Sequence, residues 1–228
     1  PPPEKDRREE DPAWKTIVRT HLWEFLRFFF PTVHSSLDRS VKPEFLDQEL
    51  ESLAPLPIVQ GSSHDRVVDL LVKVRRKDGR PRRLYLHVEI QGKTRYRLAF
   101  PERSFIYAYR IFDRHREWPE VLAVFTDRAR PPGSSLEIQA ISTRLTFQFS
   151  SVSLRDFRGR EGELEHHPNI FALVVLAHLR DQQSRDAGER KHWKKELLRL
   201  LRRREGPERD IIRSEERRVG KECRSRWS

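Results

Sequence analysis

Methionine is absent from the sequence, and cysteine occurs once, at Cys223. A single thiol excludes an intrachain disulfide framework and a cysteine-ligated zinc site, and it fits a reducing compartment. Without a methionine, Pro1 is no natural initiator, so a clipped or incomplete N-terminus is expected. The longest apolar run, FALVVLA at residues 171–177, is far shorter than the roughly 20 residues that a membrane-spanning helix needs. The opening PPPEKDRREEDP is polar and unlike a signal peptide. Gly-rich nucleotide loops, zinc-ligand spacings, a serine nucleophile elbow and internal repeats are also missing. A cytoplasmic protein of bacterial or phage-like type is the expectation.

What the chain has in quantity is charge. Of its 228 residues, 46 are Lys or Arg and 35 are Asp or Glu, a formal net charge of +11. That balance favours polyanionic partners, nucleic acid before an anionic membrane surface. The cations are unevenly spread and are dense after His178. The end of the chain, RSEERRVGKECRSRWS, shows no apolar periodicity and resembles a read-through tail. Residues 213–228 are therefore left out of the fold argument.

Periodicity divides the rest. WKTIVRTHLWEFLRFFF carries apolar residues at spacings of three and four from Trp14 to Phe29, which predicts one amphipathic helix stopped by Pro31. PEFLDQELESL, 43–53, predicts a short helix opened by Pro43, with Phe45, Leu46, Leu50 and Leu53 on one face. Strands are expected at 66–76 and 82–91, joined by a hairpin turn through Asp78 and Gly79. A helix is expected from Phe100 to Arg116, with Phe105, Ile106, Tyr109 and Phe112 inward. EVLAVFTD, 120–127, reads as a strand covered on both faces, and LEIQAIS and RLTFQFSSVSL as two more strands after the PPGSS loop. PNIFALVVLAHLRD and GERKHWKKELLRLLRRR close the chain as helices. The expected organisation is a polar, disordered leader (1–12), an α/β core (13–165), a helical extension (166–206) and a tail (207–228), with a mixed sheet flanked by helices.

The stretch YLHVEIQG, 85–92, alternates strictly. Leu86, Val88 and Ile90 share one parity; Tyr85, His87, Glu89 and Gln91 share the other, which reads as a solvent face. In the preceding strand Val68, Leu70, Val72 and Val74 alternate with Asp69, Leu71, Lys73 and Arg75. If both apolar sets meet one core, Asp69 and Glu89 share the opposite face. Two carboxylates there repel, and a hard divalent cation would remove that penalty. A plain solvated charged face is the competing reading.

An acid, a hairpin turn, then an acid followed two positions later by a nitrogen-bearing side chain resembles the PD-(D/E)xK nuclease signature. VDLLVKVRRKDGRPRRLYLHVEIQG, SFIYAYRIFDRHREWPEVLAVFTD and PNIFALVVLAHL together resemble the recombination-promoting nuclease (Rpn) group, also described as YhgA-like transposases. The resemblance runs from about Trp14 to Leu201. It implies a restriction-endonuclease-like α/β fold of helix, three-stranded meander, helix and strand. It also implies an endonuclease that uses Mg2+, or Mn2+, to cleave DNA with little sequence specificity, linked to recombination or mobile DNA. Asp69 and Glu89 would bind the metal, and Glu49 would be the additional helical acid. Gln91 stands where the wider superfamily has lysine, a glutamine habitual in this group; Val68 replaces the nominal proline.

His87 is an auxiliary base, a substrate contact or simply a polar neighbour, and Tyr85 either packs or touches phosphate. Lys73, Arg75, Arg95, Arg97 and Arg103 are candidate phosphate contacts, each with an ordinary surface role as the alternative. A salt bridge to Glu102 or a neighbouring acid is the simpler reading of Arg103. A homodimer is compatible with all of this. Two other classes stay open: a nucleic-acid-binding module that has lost turnover, and an interaction protein that uses its C-terminal helices.

Overall fold

The alternating segments form the two longest strands of a five-stranded sheet. A computed structural model describes residues 10–53, 66–78, 83–92 and 99–184, with 186, 188, 189, 192, 195 and 199; side chains at 10–13, 47, 50, 51, 66–69 and 99 are not described. In chain order the first elements are α1 (Glu10–Thr20), α2 (Leu22–Phe29), α3 (Pro31–Ser36), β1 (Glu44–Phe45) and α4 (Asp47–Ser52). Then follow β2 (Arg66–Arg75), β3 (Arg83–Gln91), α5 (Ala99–His115) and β4 (Glu120–Phe125). The last are β5 (Ser135–Gln139), β6 (Arg144–Gln148), β7 (Ser150–Ser153), α6 (Glu161–His166) and α7 (Ile170–Gln183). The described contacts divide after Asp156 into two compact units. Among the described residues no helix is long and apolar enough to cross a membrane.

In the first unit the sheet order is β1-β2-β3-β4-β7. The pairs β1/β2 and β2/β3 are antiparallel, while β3/β4 and β4/β7 are parallel. The sheet is therefore mixed, as the sequence predicts. β3 lies at its centre, and every residue from Tyr85 to Gln91 is buried. One face of β2 and β3 carries Leu70, Val72, Val74, Leu86, Val88 and Ile90, all buried. The other face is also buried, because α5 lies over it: Leu71 and Tyr85 form one cluster with Tyr107 and Ile111 of that helix. The expectation that Tyr85, His87, Glu89 and Gln91 face water is corrected here. Leu71, in the polar parity set of β2, belongs to this second core.

Three further expectations change. The single helix predicted from Trp14 breaks at His21, whose φ of −125° and ψ of 44° are not helical. Pro31 opens α3 instead of only stopping a helix, since the first turn has no use for the missing N–H. The helix expected from Pro43 begins only at Asp47, because Glu44 and Phe45 pair with Lys73 and Val72 of β2. Leu46 N donates to Leu71 O at 2.8 Å, continuing that pairing. Open backbone groups along β2 thus draw this segment out of the helix. The Asp78–Gly79 turn cannot be compared, as 79–82 fall outside the described residues.

The inward face of α5 also has a different phase. Phe100, Ser104, Tyr107, Ala108 and Ile111 are buried, whereas Tyr109 and Phe112 are 53% and 36% exposed. The spacings 4, 3, 1 and 3 still describe one helical stripe. Its second flank meets β4 and the β5/β6 hairpin, where Ala108, Val121 and Phe147 cluster with Phe105, Leu136 and Phe149. In the second unit Asn169 caps α7 by accepting from Phe171 N at 2.9 Å. Gln183 Nε2 donates to Glu161 Oε1 at 3.1 Å, joining the end of α7 to the start of α6. The amphipathic helix expected from residue 188 lies mostly outside the described residues.

Candidate functional site

Helix α5 runs antiparallel to β3, and two repeats set their contact. Residues i and i+4 of a helix are about 6 Å apart along its axis; residues i and i+2 of a strand are about 6.6 Å apart. The helix row Arg103, Tyr107, Ile111, His115 can therefore meet the strand row Gln91/Glu89, His87, Tyr85 almost in step. Arg103 Nη2 donates to Glu89 Oε1 and, at 2.8 Å, to Gln91 Oε1. The rings of Tyr107 and His87 lie 5.1 Å apart. His115 stacks on Tyr85 with ring centroids 4.2 Å apart and planes inclined by 23°.

Glu89 is fully buried, and the Arg103 side chain is 17% exposed. A carboxylate removed from water demands a counter-charge, and Arg103 supplies it. The guanidinium also lies 5.2 Å from the Phe100 ring centroid, a cation–π contact. Both hydrogen bonds leave from Nη2, and Nε has no hydrogen-bond partner among the described residues. The Ser104 hydroxyl, next in the chain, is buried and likewise finds none among them. Thr126 ties the end of β4 to the end of β3: its N–H and Oγ1 donate to Gln91 O at 2.9 and 3.2 Å. The cluster thus lies at the C-terminal ends of two parallel strands, where open α/β sheets commonly hold ligands.

The register seats Asp69 directly opposite Glu89, with a bulge between Arg66 and Val68 beside it. The Asp69 side chain is outside the described residues. Glu49 is elsewhere. Its Oε2 lies 3.1 Å from His115 Nε2 and 3.8 Å from Arg114 Nε. His115 is twelve residues along α5 from Arg103, about 18 Å of helix, so the structure does not bring Glu49 beside Glu89. The reason is that α4 docks on the C-terminal half of α5. Arg110 donates to Leu53 O at 2.9 Å and Arg114 to Ser52 Oγ at 3.3 Å, while Leu46 and Leu53 join the Leu71–Tyr85 cluster.

Two of the expected phosphate contacts are engaged by acids. Lys73 Nζ binds Glu44 at 2.7 Å, and Arg75 lies 3.6 Å from Asp38. Arg95 and Arg97 are outside the described residues. Arg103 does meet a neighbouring acid, but the pair is interior, not a surface bridge to Glu102. Tyr107 and His115 were missed as neighbours of the polar strand. Their i, i+4 and i+12 spacing from Arg103 was the available signal. Burial raises the Tyr85 phenol above its ordinary pKa, which suits a packing role at neutral pH.

Among the described residues no group of three or more His, Cys, Asp or Glu could hold a metal ion. The donor chemistry near Arg103 nevertheless fits a hard cation: a carboxylate and an amide oxygen already converge on one positive group. Comparison of the chain with protein-family models, curated proteins and solved structures finds no match.

Proposed function

We propose that the chain is a divalent-cation-dependent endodeoxyribonuclease of the PD-(D/E)xK kind, related to the recombination-promoting nucleases and acting on DNA with little sequence preference. The observation that carries this reading is the register: Asp69 opposite Glu89, with Gln91 two positions on, at the C-terminal ends of β3 and β4. Support also comes from the element order, an antiparallel meander β1-β2-β3 followed by α5 and a strand parallel to β3. That order is the one a restriction-endonuclease-like core requires.

Asp69 and Glu89 would hold Mg2+ or Mn2+. When bound, such a cation acidifies a water and stabilises charge on the phosphate. Arg103 donates to Oε1 of Gln91 and so fixes the orientation of the amide, whose donating end is Nε2. That end suits a phosphate oxygen or the attacking water. An amide adds no positive charge where a lysine would, so hydrolysis by this set is expected to be slow. His87 lies buried with its ring tilted against that of Tyr107, which favours the neighbour role over that of a base. Lys73, Arg75, Arg95 and Arg97 remain the proposed phosphate contacts.

The Arg103 bridge also favours a second reading, a DNA-binding module with little turnover, because it occupies the oxygens a cation would use. Plasmid nicking with Mg2+ and Mn2+, alongside DNA gel shifts, separates the two. D69A is expected to lose cleavage and keep DNA binding. Undiminished nicking by D69A would overturn the nuclease assignment; binding with no nicking by the unaltered protein would favour the second reading.

A further inference from the structure

Arg103 makes a contact that a cation site at Glu89 cannot keep unchanged. Its Nη2 engages one oxygen of Glu89 and the side-chain oxygen of Gln91, and a carboxylate oxygen bound by a guanidinium is a poor ligand for a second positive charge. We propose that Arg103 is a guanidinium latch: it neutralises Glu89 when no cation is bound, and a divalent cation must displace it from that carboxylate. This rests on the reading of Glu89 as a cation ligand.

The latch can open without undocking the helix that carries it. One turn on, Tyr107 stays against His87, and beyond it Ile111 packs with Leu71 and Tyr85. His115 remains stacked on Tyr85, with its Nε2 3.1 Å from Glu49 Oε2. Arg103 lies near the start of α5, so its release disturbs one end of the row only. A simple structural ion pair behaves differently. It has no reason to weaken when a cation is added, and removing it would not improve cation binding.

Mn2+ binding, read by the electron paramagnetic resonance of the free ion, tests this on the full chain, with E89A as the control. R103Q is expected to bind Mn2+ about tenfold more tightly than the unaltered protein, and E89A to lose the site. Equal or weaker binding by R103Q overturns the latch while leaving the cation site intact. Absence of binding in both R103Q and the unaltered protein overturns the cation reading itself. Should R103Q fail to fold, phenylglyoxal labelling of the unaltered protein gives an independent answer. Saturating Mn2+ should speed modification of Arg103, as followed by peptide mass spectrometry; unchanged or slower labelling counts against displacement.

Discussion

Glu89 shows how one residue takes its chemistry from its neighbours. In the sequence it is one acid in an alternating strand; in the fold it is a buried carboxylate whose Oε1 is held by Arg103. Removing only one partner of such a pair strands a charge inside the protein. Glu89→Ala should therefore destabilise the fold by about 3 kcal/mol, measured as a lower urea midpoint. Glu89→Gln keeps an oxygen for the guanidinium and should cost clearly less. Similar midpoints for the two variants would mean that Arg103 reaches solvent easily once the acid is gone. Residue types marked Glu89 and Gln91 as unusual, but no local pattern announced Arg103 as their partner. Their contact depends on how α5 lies across β3.

At the level of elements, α5 is held by a polar contact at each end of its inner row. The C-terminal contact joins it to α4 through Glu49, His115 and Arg114, with Arg110 on the carbonyl of Leu53 just past that helix. A double-mutant cycle between Glu49 and His115 should give a coupling of about 0.5–1 kcal/mol in unfolding free energy. Magnesium-dependent nicking, where present, should survive both single variants, because these residues sit far from Glu89. Loss of cleavage in E49A with stability intact would restore Glu49 to the proposed metal set. The helical period of 99–115 was readable, but its phase was not. Aromatic residues stand on both sides of α5, and the hairpin β5/β6 covers only some of them.

At the scale of the whole molecule, stability should carry a pH signature from Glu120 at the start of β4. Burial raises its carboxyl above the ordinary glutamate range, partly offset by a hydrogen bond from Ser150 and by the charge of Arg76. The folded state then holds this proton more tightly than the unfolded state does. Its contribution is fully present below the unfolded pKa and is lost as pH rises through the folded one. Glu120→Gln should flatten that decline in urea midpoints measured from acid towards neutral pH; an unchanged slope would show that Glu120 titrates alike in both states.

Sequence by itself determined the alternation of β2 and β3, the buried strand β4, the extent of α5 and the presence of helix α7. Each is a local matter of side-chain period and backbone preference. It also placed Asp69, Glu89 and Gln91 on one parity, which the pairing of β2 with β3 carries into a shared register. Only the tertiary structure decided that Glu89 and Gln91 face a helix and not water. A period of two says which residues share a face, but what covers that face depends on a connection elsewhere in the chain. Burial in turn decided that Glu89 must have a counter-ion, and the matched rise of helix and strand decided that Arg103 supplies it.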